Sequence, residues 1–266
     1  MTIKVSVIGA GNMGGAVARG LAGAASRRYE VRVSNPSVGK LEAIRREFPG
    51  VFATTSNSEC ASGADVVILA VKPWKVGEVI DELRSVWSAE GVTSKPILVS
   101  MAAGIDIEAL CRMAGDGVAA VYKAIPNTAV SVGCGVTFVS RDLPDVECDG
   151  IVSGIFSTLG LTEIVEERML DAGMAVASCG MAFMMRMLRA MTEGGVELGL
   201  YPATALRAAA ATMRGAAELI ERNGLHPEQE VDRVTTPGGL TIRGLNAMEE
   251  AGFTGAVVKG LRACVK

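Results

Sequence analysis

The sequence is poor in the residues from which most reactive centres are built. It has one histidine in 266 residues, and its six cysteines, at 60, 111, 134, 148, 179 and 264, include no Cys-x-x-Cys pair. No metal site is expected from such a set. Aromatic residues make up only 4%, too few for a base-stacking surface. Basic residues do not outnumber acidic ones: 26 stand against 29, a net charge of −3, so neither nucleic acid nor an anionic membrane finds a basic footprint. The longest tempting apolar stretch, Ala172 to Met185, lies between Asp171 and Arg186. It falls short of the roughly 20 residues that a bilayer requires, so no membrane partner is expected. With no basic, apolar leader at the N-terminus, no disulfide framework is expected either, and the reading is a soluble, reducing, cytoplasmic setting.

What is abundant is apolar and small. Hydrophobic residues reach 49% against 21% charged, with 32 glycines and 13 methionines, so a sizeable core replaces disorder. In the first half, strand patterns alternate with helical ones: strands at 3–8, 30–34, 51–53, 65–71, 97–101, 118–123, 135–139 and 161–165. The run Asp65–Val71, DVVILAV, is continuous rather than alternating, as in a strand covered on both faces. Alternation of this kind predicts an α/β fold with a doubly wound parallel sheet of the Rossmann type, over residues 1–164. From 165 to 266 strand signals vanish. Helical stretches at 167–193, 202–223 and 239–264 predict an all-α domain, with Pro202 and Pro227 placed at helix starts.

Gly9-Ala10-Gly11-Asn12-Met13-Gly14 is a G-x-G-x-x-G between the first strand and its helix. That context predicts a dinucleotide site: Gly9 for a tight turn, Gly11 for close approach of a pyrophosphate, and Gly14 for helix–strand packing. The pyrophosphate would meet the unpaired N–H groups of the helix start, with Asn12 and Met13 in the same loop. At the end of the second strand an NAD site places an acid for the ribose 2′-hydroxyl. Here the chain reads Val33-Ser34-Asn35-Pro36-Ser37, with no carboxylate to repel a 2′-phosphate. NADP(H) is therefore the expected cofactor and NAD(H) the alternative, with Arg32 and Lys40 as charge partners.

Further strand ends carry small or amide-bearing turns: Ala70-Val71-Lys72-Pro73, Ala102-Ala103-Gly104 and Pro126-Asn127-Thr128. Ligands of open α/β sheets bind beyond such ends. Far away, Thr235-Thr236-Pro237-Gly238-Gly239-Leu240-Thr241-Ile242 gathers hydroxyls and free N–H groups at a helix start, a setting suited to a carboxylate.

These segments, in this order, together with Asn57 in TTSNS and EGGVELGL at 193–200, resemble the pyrroline-5-carboxylate reductase family over nearly the whole chain. The resemblance implies a C-terminal helical domain that dimerises and completes the partner's site, with five dimers assembling in some members. It also implies roles. The glycine loop, Ser34, Asn35 and Asn57 would hold the adenosine and phosphates, and Ala70, Val71, Lys72, Pro73 and Ala103 the nicotinamide ribose. Asn127, Thr236, Gly238, Gly239 and Thr241 would meet the substrate. Thr241 would stand beside the ring nitrogen and carry the catalytic role. The implied reaction is hydride transfer from NAD(P)H to the C=N bond of 1-pyrroline-5-carboxylate, the last step of proline biosynthesis.

The chain departs from the family's usual pattern at Lys123, Ala129, Met181 and Phe183, near the expected pocket, which leaves two other readings open. One is a reductase of another cyclic imine on the same scaffold; the other is a nucleotide-binding protein without turnover. A β-hydroxyacid reductase is disfavoured because residues 172–185 contain no Lys. His226 reads as a loop residue, Glu193 as a solvated or capping charge, and the cysteines as small buried hydrophobes.

Overall fold

A computed structural model describes residues 2–24, 28–88 and 94–265. The strands β1 (Ile3–Ile8), β2 (Tyr29–Ser34), β3 (Phe52–Thr54), β4 (Val66–Leu69), β5 (Ile97–Ser100), β6 (Ala120–Pro126), β7 (Gly135–Arg141) and β8 (Gly160–Ile164) form one sheet in the order β3-β2-β1-β4-β5-β6-β7-β8. Between them run α1 (Asn12–Gly23), α2 (Val38–Glu47), α3 (Asn57–Ala61), α4 (Val76–Trp87), α5 (Ile107–Ala114) and α6 (Val146–Ser157). All four residues of β4 are buried. Val66 and Ile68 join the apolar cluster on one face of the sheet, and Val67 and Leu69 the cluster on the other. This is what the continuous run at 65–71 predicts. Helix α4 reaches the second cluster through Val76, Val79, Ile80, Leu83 and Trp87, one apolar stripe at helical spacing.

The sheet is not wholly parallel. β6 and β7 pair antiparallel, from Tyr122 opposite Arg141 to Pro126 opposite Thr137. Only residues 127–134 connect them, too few for the helical crossover that a parallel pair needs. β7 and β8 are joined through α6 and run parallel again.

The chain divides into two compact units, Met1–Ser178 and Cys179–Lys266. The change from strand to helix patterns at 164–165 therefore precedes the boundary, because the following segment stays packed on the first unit. α7 (Leu170–Met174) and a π-helical turn (Ala175–Cys179) make up most of it. A Cβ on Gly173 would stand 2.6 Å from the Phe138 ring, so only glycine lets α7 lie on β7. Asn127 Nδ2 donates to the carbonyl of Ala177 at 3.1 Å, while its Oδ1 accepts from the N–H of Ala129 (3.1 Å) and of Val136 (3.3 Å).

The second unit holds α8 (Gly180–Glu197), α9 (Pro202–Asn223), α10 (Pro227–Val234), α11 (Leu240–Glu250) and α12 (Phe253–Ala263). Pro202 and Pro227 are the first residues of their helices, as their missing N–H groups favour. The stretch expected as one helix at 239–264 is two, broken where Gly252 takes φ +84°. His226 caps α10: its Nδ1 accepts from the N–H of Glu228, and Gln229 reaches back to its own N–H.

By length and composition alone the helical residues Glu167–Glu197 could cross a membrane, a test that the core helix of a soluble protein passes equally.

The close approach at Gly14 and the hydrogen bonds of Asn127 are both testable by chemical denaturation. A Cβ on Gly14 would lie 2.0 Å from Gly9 O, whereas one on Gly11 meets nothing within 4 Å. Gly14→Ala is expected to cost about 1–3 kcal/mol of stability through overpacking, and Gly11→Ala less than about 1 kcal/mol. Asn127→Ala strands three backbone polar groups and is expected to cost about 2–4 kcal/mol.

Candidate active site

The carboxyl ends of β2, β1 and β4 set the geometry of the site. β1 lies between the other two, with Ile8 paired to Ser34 on one side and to Leu69 on the other. Gly9 leaves the sheet at this level with φ +107°, and its N–H donates to Ser34 O at 2.8 Å. A Cβ there would stand 2.7 Å from Ala70 O, so glycine is required both by the backbone and by the neighbouring strand. Gly14 brings α1 against the same two strand ends. Gly11, the N-terminal cap of α1, has φ −69° and ψ −169°, a conformation open to any residue. Neither fold nor packing calls for glycine there. The open space above it suits a pyrophosphate drawn against the backbone, and the cap provides no side-chain partner for the first N–H groups of α1.

A cavity of about 590 Å³ opens at this loop, lined in part by Gly11, Asn12, Arg19, Ser37, Lys40 and Thr128. Lys40 forms no ion pair among the described residues. Arg19 is held by Glu47, with Nε 2.7 Å from Oε2, and this contact lowers the Glu47 carboxyl below its usual value. Arg32, the other proposed charge partner, faces elsewhere: its guanidinium lies 4.5 Å from the centroid of the Phe52 ring and donates to Ser62 O. Arg19 sits within α1 in no motif, and only its place on the face that borders the cavity points to it.

Several residues expected to touch ligand are committed to the frame. Ser34 is wholly buried and its hydroxyl donates to Asn57 Oδ1 at 2.8 Å, so it has no hydrogen left for a phosphate. Asn35 Oδ1 accepts from the N–H of Ala10 at 3.0 Å, which orients the glycine loop. Asn127, expected at the substrate, is 4% exposed and spends its amide on the backbone. Met13 is half-buried against the core. Ala70, Val71, Lys72, Pro73 and Ala103 follow the ends of the adjacent strands β4 and β5, where Lys72 and Ala103 are exposed; none of them lines the 590 Å³ cavity. Lys123 Nζ lies 3.5 Å from Glu167 Oε1, an oxygen that also accepts the N–H of Ile107 at the start of α5.

In the second unit, Thr236-Pro237-Gly238-Gly239 closes a turn in which Gly239 N donates to Thr236 O at 2.9 Å. Pro at the second position and Gly238 at φ +70° in the third are the requirements of a type II turn. A Cβ on Gly239 would meet Thr236 Oγ1 at 2.5 Å. Gly239 then caps α11 without a side-chain hydrogen bond, and no acid occupies the first turn. The helix therefore presents free N–H groups beside the exposed Thr241, a setting for an anion. Phe183 packs its ring over Gly260, and Glu193 pairs with Arg189 at 2.9 Å. The Cys179 thiol contacts Cys264 and raises its pKa, while burial pushes Cys60, in the first unit, up to about 11. Neither cysteine of the pair has a base beside it among the described residues, and no metal-ligand cluster is present among them.

Comparison with known proteins assigns the two parts of the chain. Residues 167–266 match the family described as pyrroline-5-carboxylate reductase dimerisation, and residues 4–104 the family described as NADP oxidoreductase coenzyme F420-dependent. Pyrroline-5-carboxylate reductase 1 of Dictyostelium discoideum is 34% identical over 97% of this chain, which spans about half (48%) of that longer protein. The Corynebacterium melassecola pyrroline-5-carboxylate reductase is also 34% identical, over 98% of this chain and 95% of its own. Among solved structures, a pyrroline-5-carboxylate reductase from Coxiella burnetii superposes with a TM-score of 0.87 at 28% identity, covering 99% of this chain and 96% of the other. The Plasmodium falciparum pyrroline carboxylate reductase, solved with NADP bound, gives 0.82 at 25% identity over 98% and 95%. An N-terminal Rossmann-type unit, a C-terminal dimerisation region and 34% identity to such enzymes over nearly the whole of this chain together place it in the pyrroline-5-carboxylate reductase family, oxidoreductases that use a nicotinamide nucleotide to reduce a C=N bond.

Proposed function

We propose that this chain reduces 1-pyrroline-5-carboxylate to L-proline with NADPH in preference to NADH, as a cytoplasmic homodimer. The observation that carries the cofactor preference is the edge of the glycine-loop cavity. No acidic residue occurs among residues 33–37, where β2 ends, and Lys40 and Ser37 line the cavity beside Gly11. An ammonium and a hydroxyl are complementary to a ribose 2′-phosphate, which the acid of an NAD site would repel. The backbone N–H groups at the start of α1 would hold the pyrophosphate. Ala70 to Pro73 and Ala103 would flank the nicotinamide ribose.

Bound NADPH supplies the hydride for the imine carbon. A protonated imine is already a strong electrophile, so the work left to the protein is positioning, worth up to about 7–11 kcal/mol in ideal systems. The free N–H groups at the start of α11 would take the substrate carboxylate. The Thr241 hydroxyl would accept from the iminium N–H and fix the face of attack; as a poor acid, it orients the nitrogen rather than supplying a proton. The region 165–266 would serve as the dimerisation and substrate-binding domain. In the dimer, its exposed apolar side chains, among them Met184, Met185, Leu206 and Phe253, would be covered. Assembly beyond the dimer, such as a decamer, extends the same proposal.

The deciding assay follows nucleotide oxidation with pyrroline-5-carboxylate and, beside it, its six-membered homologue, each with NADPH and NADH. Higher kcat/KM for the five-membered imine and for NADPH is expected; a clear NADH preference overturns the cofactor reading. Thr241→Ala is expected to lower kcat/KM about ten- to a hundredfold, or about 1.4–2.7 kcal/mol, and an unchanged value removes Thr241 from the mechanism. Lys40→Ala is expected to raise KM for NADPH roughly fivefold while leaving KM for NADH in place, the loss of about 1 kcal/mol from one exposed charge-assisted contact.

A further inference from the structure

Three elements meet in one chain of hydrogen bonds at the adenosine end of the proposed nucleotide site. Ser34 ends β2, Asn57 begins α3, and Glu82 lies on α4. Ser34 Oγ donates to Asn57 Oδ1 at 2.8 Å, and Asn57 Nδ2 donates to Glu82 Oε2 at 2.8 Å. The other carboxylate oxygen, Oε1, accepts from the hydroxyl of Ser58 at 3.2 Å. The chain sits at the carboxyl edge of the sheet: Thr54 pairs with Ser34, and the N–H of Asn35 donates to Thr54 O at 3.2 Å. In a dinucleotide-binding fold this edge borders the ribose of the adenosine.

The direction of the chain is set by its last member. An ionised carboxylate has no hydrogen to give, so both oxygens of Glu82 can only accept. The Asn57 atom that faces Glu82 must therefore be the amide nitrogen, and the one that faces Ser34 must be the carbonyl. Ser34 is then obliged to donate. Without the carboxylate nothing distinguishes the two ends of the amide, since a hydroxyl such as Ser34 can donate or accept equally well. The second N–H of Asn57 is the one polar hydrogen that this chain leaves over.

We propose that Glu82 is a positioning residue of the nucleotide site, which locks the Asn57 amide as a donor toward the phosphate-bearing ribose of NADP(H). It acts through Asn57 and does not line the glycine-loop cavity. The proposal rests on the reading of this edge as the nucleotide site. A reversed amide would turn a carbonyl oxygen toward a phosphate and weaken binding, so the carboxylate's effect is exerted on orientation.

The test is calorimetric titration of NADPH and of adenosine 2′,5′-bisphosphate into the full-length protein and its Glu82→Ala, Glu82→Gln and Asn57→Ala variants, with thermal unfolding of each. Glu82→Ala is expected to weaken both ligands roughly three- to tenfold, the scale of one hydrogen bond to a charged group, at unchanged Tm. Glu82→Gln is expected to stay within about twofold of the parent, because its carbonyl can accept from Asn57 while its amide donates to Ser58. Parental binding by Glu82→Ala beside weakened binding by Asn57→Ala overturns the positioning role. Equal weakening of Glu82→Gln and Glu82→Ala overturns it too, since charge rather than direction would then matter. A fall in Tm with parental affinity would assign Glu82 to stability alone. Parental binding by Asn57→Ala as well would overturn the placement of the nucleotide at this edge, and the proposal with it.

Discussion

The first unit depends on how closely two backbones approach where β1 gives way to α1. Gly9 and Gly14 carry no side chains at the one point where the end of β4, the end of β1 and the first turn of α1 must share space. With any Cβ at Gly14 the carbonyl of Gly9 would be displaced by more than ordinary packing absorbs. That contact holds the helix start at the level of the strand ends. Its unpaired N–H groups then face out over the sheet, and the loop around Gly11 stays bare. The apolar clusters on the two faces of the sheet support this arrangement, but they would tolerate exchanges of similar volume far better than the loop would.

Around that contact, polar side chains mostly serve the protein's own backbone. Asn35 orients the glycine loop, Asn127 joins the turn after β6 to the segment carrying α7, and Ser34 is closed off beneath Asn57. A short amide at a strand end is well suited to this task, because it offers donor and acceptor together where the ladder stops. The atoms left to face a ligand are backbone N–H groups, the remaining N–H of the Asn57 amide, the ammonium of Lys40 and a few hydroxyls. Such a surface reads phosphate and shape more than base identity, as a site for a nicotinamide nucleotide requires.

Much of this was legible in the sequence because it is local. The loop Gly9–Gly14 sits between two elements whose hydrophobic periods differ, and the missing carboxylate after Val33 is a fact of five consecutive residues. Other features were hidden for physical reasons. Helix α3 has five residues, too few to show a period. The break at Gly252 interrupts neither the apolar pattern nor the composition, and only its positive φ reveals it. The reversal of β7 follows from the length of a connection and not from any residue in the strand. Residues 165–178 carry a helical pattern yet pack on the sheet, through a glycine–phenylalanine contact that no local window contains. The site was the least legible part. Whether Asn127 or Ser34 points outward or inward depends on partners many residues distant, and Glu82 is joined to Asn57 across 25 positions.

The second unit shows what its composition entails. Among the described residues of 179–265, only Gly180, Ala205 and Ala209 are buried, while large apolar side chains on all of α8, α9, α11 and α12 remain exposed. Three small buried residues cannot offset the entropy of ordering five helices. In the proposed dimer the balance comes from the surface of a second copy. Order in this half of that dimer is a bimolecular quantity: dilution erodes it, abundance restores it, and newly made chains must find one another before proteases find these helices.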